Sequence, residues 1–225
     1  MNKTANKTAV KGDGALIYLV DDDDAVRDAL GILFESVGLD CAAYPSAMEF
    51  LDHYDRSRHS CLVADIRMPG MSGLELQQRL NEHRAPVPVI FITGHGDVPM
   101  AVNAMKAGAS DFVQKPFRDQ DLIDRIHKAL QLDKERRAAN EQETAVRDRL
   151  ALLTPRETDV MQRVVRGHAN KVIAMDLGVS QRTVELHRAR VMQKLKLRSV
   201  AALVSTVGGI LAADAAMASG TATAE

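Results

Sequence analysis

The stretch "IYLVDDDDAVRDAL", residues 17–30, decides how the first half of the chain is read. An apolar run stops against Asp21, Asp22, Asp23 and Asp24. Two unit charges about 4 Å apart repel by roughly 1 kcal/mol in water, and by about 4 kcal/mol where the effective dielectric is about 20. A buried strand ending in such a run needs a cation nearby, or it must turn most of the acids to solvent. The run is continuously apolar rather than alternating, as in strands covered on both faces. Similar runs recur at 39–43, 61–64, 87–92 and 111–113, and helical patterns begin near Asp24, Ser46, Gly73, Val98 and Asp119. Five βα units in about 120 residues predict an α/β fold, a doubly wound, flavodoxin-like parallel sheet.

Sites in such sheets form beyond the carboxyl ends of the strands. Asp21 and Asp22 end the first strand, Asp65 ends the third within "LVADIRMPGMSG", Thr93 ends the fourth within "VIFITGHGD", and Lys115 follows the fifth within "DFVQKPF". Carboxylates gathered on one rim suit a hard cation such as Mg²⁺ (or Mn²⁺), which takes oxygen ligands and keeps waters. A carboxylate beside such an ion and an ammonium is equipped to attack a phosphoryl group. Asp65 is therefore the candidate phosphoacceptor, with Asp21 and Asp22 as candidate metal ligands. Asp24 falls near a helix start, where a negative group gains about 0.3–1 kcal/mol. Asp23 is expected to face solvent or stand as a weaker neighbour of the metal. The glycine-rich "TGHGD" lacks the spacing of a phosphate-binding loop.

The charge of the chain is unevenly spread. Residues 1–133 sum to roughly −6 and residues 147–198 to roughly +7, which suggests two domains with different partners. The second half opens with "TPRE": Thr154 as N-cap, Pro155 at the first helical position and Glu157 closing a capping box. Helices are predicted at 155–166, 170–177, 181–195 and 199–207, an all-α four-helix domain. "NKVIAMDLGVSQRTVELHRARVMQKL" reads as helix, tight turn at Gly178, and a second helix capped by Ser180. On a helical wheel Val184, Val191 and Leu195 share one face, while Arg182, Leu186, Ala189 and Gln193 lie opposite, flanked by Glu185 and Arg190. Leu186 and Ala189 suit thymine methyls in a major groove, and Glu185 suits a cytosine amino group. Lys171, Arg182, Thr183, His187, Arg190 and Lys194 are candidate phosphate contacts. Arg188, near the core edge, is expected to pack rather than read bases.

Residues 16–130 resemble the receiver domain of two-component response regulators, carried by "LVDDDD", "DIRMPGMSG", "FITGHGD" and "DFVQKPF" in order. Residues 152–207 resemble the LuxR-type (NarL/FixJ) helix-turn-helix output domain, and the whole is most similar to the FixJ branch. The resemblance implies that Asp65 accepts phosphate from a sensor histidine kinase. It implies Mg²⁺ bound by Asp21, Asp22, Asp65 and the Arg67 backbone carbonyl, with Thr93 and Lys115 contacting the phosphoryl group. Phe112 would be the switch aromatic, Lys115–Pro116 a cis peptide, and Arg67 and His95 positions that tune dephosphorylation. Phosphorylation would favour a homodimer through Val98, Ala101, Lys106 and Asp111, pairing two 181–195 recognition helices on promoter DNA, with RNA polymerase a further partner. Such a chain is no enzyme beyond its own phosphoryl transfer and slow autodephosphorylation.

The resulting layout is a disordered tail at 1–14, a receiver at 15–132, a partly helical linker at 133–151, a DNA-binding domain at 152–207 and a flexible tail at 208–225. Cys41 and Cys61 are the two cysteines, which suits a reducing cytoplasm. No apolar run approaches the roughly 20 residues of a membrane span, so no membrane partner is expected. Two readings of other classes compete. A phosphohydrolase with an aspartate nucleophile would want a second acid two residues on, where this chain has Arg67. An adaptor would carry a basic domain that binds no DNA.

Overall fold

The computed structural model describes residues 14–94 and 98–220. These fall into two compact units that meet between Arg137 and Ala138. The first unit alternates β1 (Leu16–Val20), α1 (Asp24–Ser36), β2 (Asp40–Tyr44), α2 (Ala47–His53), β3 (Ser60–Asp65), α3 (Gly73–Glu82), β4 (Val89–Thr93), α4 (Val98–Lys106) and β5 (Asp111–Gln114). It closes with the first part of α5 (Asp119–Ala151). The strands pair in parallel in the order β2-β1-β3-β4-β5. That is the doubly wound sheet that the continuous apolar runs predict.

The pleat sends alternate residues to opposite faces. Tyr18, Leu62 and Phe91 join α2, α3 and α4 in one core, while Ile17, Leu19, Val63, Ile90 and Ile92 join α1 and α5 in the other. Each large side chain so buried contributes roughly 1.5–3 kcal/mol. Cys41 and Cys61 flank Ile17 in register, one strand on either side. Strands lie about 4.8 Å apart, so the two Cα atoms are separated by roughly twice that spacing, too far for a disulfide. Both thiols are free, and burial pushes both of their pKa values up, that of Cys41 to about 12.

In the second unit α6 (Pro155–Val165), α7 (Asn170–Leu177), α8 (Gln181–Leu195) and α9 (Val200–Gly220) enclose a core of Val160, Val164, Ile173, Val184, Val191, Leu195, Leu203 and Val207. The Thr154–Glu157 capping box is formed, and Gly178 ends α7 at φ 65°, where a side chain would be strained.

The segment 133–151, expected as a partly helical linker, is helical throughout as part of α5, with residues 133–137 in the first unit and 138–151 in the second. One expected boundary is corrected. The expected flexible tail from 208 is largely helix, because α9 continues to Gly220. Ile210 is buried, Leu211 packs on the core, Asp214 pairs with Arg147, and alanine carries little helix cost. Residues 1–13 and 221–225 lie outside the described residues. So do His95 and the side chain of Val98. Among the described residues no single helix is long and apolar enough to cross a membrane.

Candidate functional site

The acid run after β1 resolves into four separate tasks. Asp21 is buried, and its Oδ1 accepts the Asp23 amide at 3.0 Å. Asp22 is exposed. Asp23 is exposed, the first of its two expected placements, and as the N-cap of α1 it accepts from the Ala25 amide at 2.8 Å. Asp24 pairs with Arg27, one helical turn on. Arg27 also donates Nη1 to the Asp21 carbonyl at 2.6 Å. This arginine was missed in the sequence; the i,i+3 spacing from Asp24 was the available signal. The cation that the acid run needs is therefore partly Arg27.

The remainder is Lys115. Its Nζ lies 3.1 Å from Asp21 Oδ2 and 3.5 Å from Asp65 Oδ1, so one ammonium joins two carboxylates from different strand ends. The loop after β5 delivers it: the Lys115 amide donates to the Thr93 carbonyl at 2.7 Å, and Lys115–Pro116 is cis. The other oxygen of Asp65 accepts the Arg67 amide at 2.7 Å. Burial raises the Asp65 pKa above the ordinary carboxylate range, against the opposing pull of the Arg67 amide and Lys115. Thr93 is buried at the end of β4, and Phe112 is half-buried against the core. The Arg67 side chain is exposed.

The approach beneath Asp65 is tight. A Cβ on Gly73 would stand 2.4 Å from the Asp65 carbonyl and 2.9 Å from a Phe91 ring carbon. Only glycine lets α3 begin this close to the end of β3.

Among the described residues no three acids, cysteines or histidines form a ready-made metal cage. A hard dication that keeps its waters needs only one or two carboxylates, so the buried pair Asp21 and Asp65 fits such an ion. The exposed Asp22 is not drawn into that pair.

On the first unit's α4, Ala101 is half-buried and Lys106 exposed, while Asp111 is paired with Arg125 and accepts the Phe112 amide at 2.8 Å. Val102 (44% exposed) and Met105 (46%) were missed; they stand at helical spacing on the same helix.

On α8, Arg182, Glu185, Ala189, Arg190 and Leu186 (51%) are exposed, as is Lys171 on α7. Of the expected phosphate contacts, Lys194 and Thr183 are otherwise engaged. Lys194 donates to Glu157 Oε2 at 2.6 Å and to the Leu152 carbonyl at 3.0 Å, because its end of α8 crosses the start of α6. The Thr183 hydroxyl shares a 2.8 Å hydrogen bond with Ser180 within the helix cap. His187 is half-buried, and its Nδ1 is buried with no hydrogen-bond partner among the described residues. Arg188 packs as expected, and its guanidinium bonds to the Asn170 side chain.

Residues 17–127 match the response regulator receiver domain family, and residues 151–207 match the bacterial regulatory proteins of the luxR family. The chain is 46% identical over 200 residues to transcriptional regulatory protein FixJ of Azorhizobium caulinodans, covering 88% of this chain and 95% of that one. It is 44% identical over 190 residues to response regulator protein TodT of Pseudomonas putida, covering 84% of each. Among solved structures, response regulator StyR aligns with a TM-score of 0.78 at 46% identity, over 87% of this chain and 99% of that one.

Proposed function

The chain belongs to the response regulators that join a receiver domain to a LuxR-family regulatory domain, and from that premise we propose that phosphoryl transfer to Asp65 governs its binding to promoter DNA. One observation carries the reading: the Lys115 ammonium lies between Asp21 and Asp65, within 3.5 Å of both. The lysine is placed for charge that arrives on Asp65 and needs no reorganisation to meet it.

A sensor histidine kinase supplies the phosphoryl group. A carboxylate oxygen of Asp65 attacks phosphorus. The new O–P bond forms as the P–N bond of the phosphohistidine breaks, and the imidazole departs with the electron pair. A Mg²⁺ (or Mn²⁺) held by Asp21 and Asp65, with Asp22 and the Arg67 carbonyl as further ligands, supplies positive charge to the phosphoryl oxygens when bound. Lys115 neutralises one phosphoryl oxygen and the Thr93 hydroxyl donates to another. Phe112 turns inward behind Thr93, and the face made by α4 and β5 changes shape. Val98, Ala101, Lys106 and Asp111, joined by the exposed Val102 and Met105, then form the homodimer surface. Two copies of α8 enter successive major grooves, half-sites about one helical turn apart. Arg182, Arg190 and Lys171 meet phosphates, and Glu185, Leu186 and Ala189 meet base edges. RNA polymerase is the partner at such a promoter, and the cytoplasm is the compartment that holds kinase output, DNA and free thiols together.

The test is treatment with a small phosphodonor and Mg²⁺, followed by intact mass and oligomer measurement. Wild-type protein gains the mass of one phosphoryl group and dimerises; Asp65→Asn does neither. An unchanged mass in wild type overturns the reading.

A further inference from the structure

At the opposite end of the sheet from the rim, a buried charge ties α5 to β3. Asp133 is fully buried, at 0% exposure. Its Oδ2 accepts the Ser60 amide at 3.1 Å and Arg137 Nε at 2.7 Å. Arg137 spends its other donors on three consecutive carbonyls, Arg56 at 3.0 Å, Ser57 at 2.9 Å and Arg58 at 2.6 Å. His59 bonds to the Leu130 carbonyl at 2.9 Å, and Arg136 to the Pro86 carbonyl at 2.8 Å. Residues 130–137 of α5 are therefore laced to the loop that opens β3 and to the one that opens β4.

This is an expensive way to fasten a helix. Asp133 Oδ1 is buried with no hydrogen-bond partner among the described residues. A buried unpaired acceptor is costly, and an apolar residue of similar volume would avoid that cost. What the charge supplies is position: a guanidinium fork fixes direction as well as distance. Two facts say which position matters. Ser60 is the first residue of β3 and Asp65 is the last, on the central strand of the sheet, bonded to neighbours on both sides. Arg137 is the last residue of the first unit, after which α5 runs on as part of the second. The apolar stripe of α5 ends at Leu130, so burial alone does not hold its last receiver turn.

We propose that Asp133 and Arg137 are positioning residues that couple the state of β3, and hence of Asp65, to the α5 segment 138–151. The coupling rests on the reading of Asp65 as phosphoacceptor. It acts from the base of the strand, separately from the Thr93–Phe112 route at the rim.

The experiment uses the full chain with acetyl phosphate and Mg²⁺. Phosphoryl occupancy is read from intact mass, and backbone hydrogen exchange is followed over residues 138–151. In wild type the phosphodonor changes exchange in this segment by about fivefold or more, the scale of ordinary coupling energies. Asp133→Asn and Arg137→Lys take up phosphate to the same occupancy but lose most of that donor-induced change. Arg137→Lys keeps a cation beside Asp133, so a folded variant is retained even if the neutral aspartate substitute fails to fold. A purely structural role would raise exchange with and without donor alike and leave the donor-induced difference intact; that result overturns the proposal. If wild type gains no phosphoryl mass, the reading of Asp65 falls, and the coupling with it.

Discussion

At the scale of single residues, the site is a set of charges whose environments differ. Asp65 is held above the ordinary carboxylate range by burial, so the folded protein binds a proton there more readily than the unfolded chain. The contribution of Asp65 therefore falls as pH rises from the ordinary carboxylate range through its raised pKa. Asp65→Asn is expected to raise the urea midpoint of the first unit at pH 7 in the absence of divalent metal, and to lose the advantage near pH 3. Glu157 behaves oppositely. Lys194 and the Thr154 amide bring its pKa down to about 2. Its stabilisation is present above the usual glutamate pKa of about 4.3 and is lost as pH falls toward 2. Glu157→Gln is expected to cost the second unit about 1–3 kcal/mol at neutral pH and to flatten its acid limb. Gly73→Ala tests the close approach under Asp65. The new methyl group must push backbone aside, at about 1–3 kcal/mol in denaturant midpoint, and phosphoryl uptake should slow with it.

At the scale of elements, α8 separates two kinds of lysine and arginine. Lys171→Ala or Arg190→Ala should lower the slope of log affinity against log salt by about one. Lys194→Ala should leave that slope unchanged and instead destabilise the second unit, since its ammonium is committed to Glu157 and the Leu152 carbonyl. A gel-shift titration in salt beside thermal melts distinguishes them. Leu186→Ala should relax base preference by about 1–3 kcal/mol at one step without altering the salt slope. Element type and order were legible in the sequence because apolar runs and caps are local signals: Thr154 with Glu157, Gly178 and Ser180 each act within one turn. The rim was legible because strand ends follow from strand assignment. What escaped was contact between distant residues. Nothing near Lys194 announces Glu157, and nothing near Asp133 announces Ser60. The length of α9 escaped because alanine-rich sequence suits both helix and coil until Ile210 and Asp214 find partners across the fold.

At the scale of the whole molecule, an acidic unit and a basic unit share one chain, and under the proposed function a single phosphoryl group on the first governs DNA binding by the second. Moving a population from 1:99 to 99:1 takes about 5.5 kcal/mol of differential stabilisation, more than a few phosphate contacts within one receiver readily give. Under the proposed function a dimer interface would supply the remainder, so Met105→Asp should leave phosphoryl uptake intact while raising the concentration for donor-induced dimerisation at least about tenfold, as read by sedimentation. The two native thiols, set on either side of Ile17 with pKa values far above neutrality, bear on how such motion is observed. Burial and the raised pKa values should slow both thiols toward a maleimide dye at pH 7, the fully buried Cys61 more than the half-buried Cys41. A pair of engineered surface cysteines, one in each unit, would then label ahead of the native thiols, and energy transfer between them would test whether phosphoryl transfer changes the distance between the units.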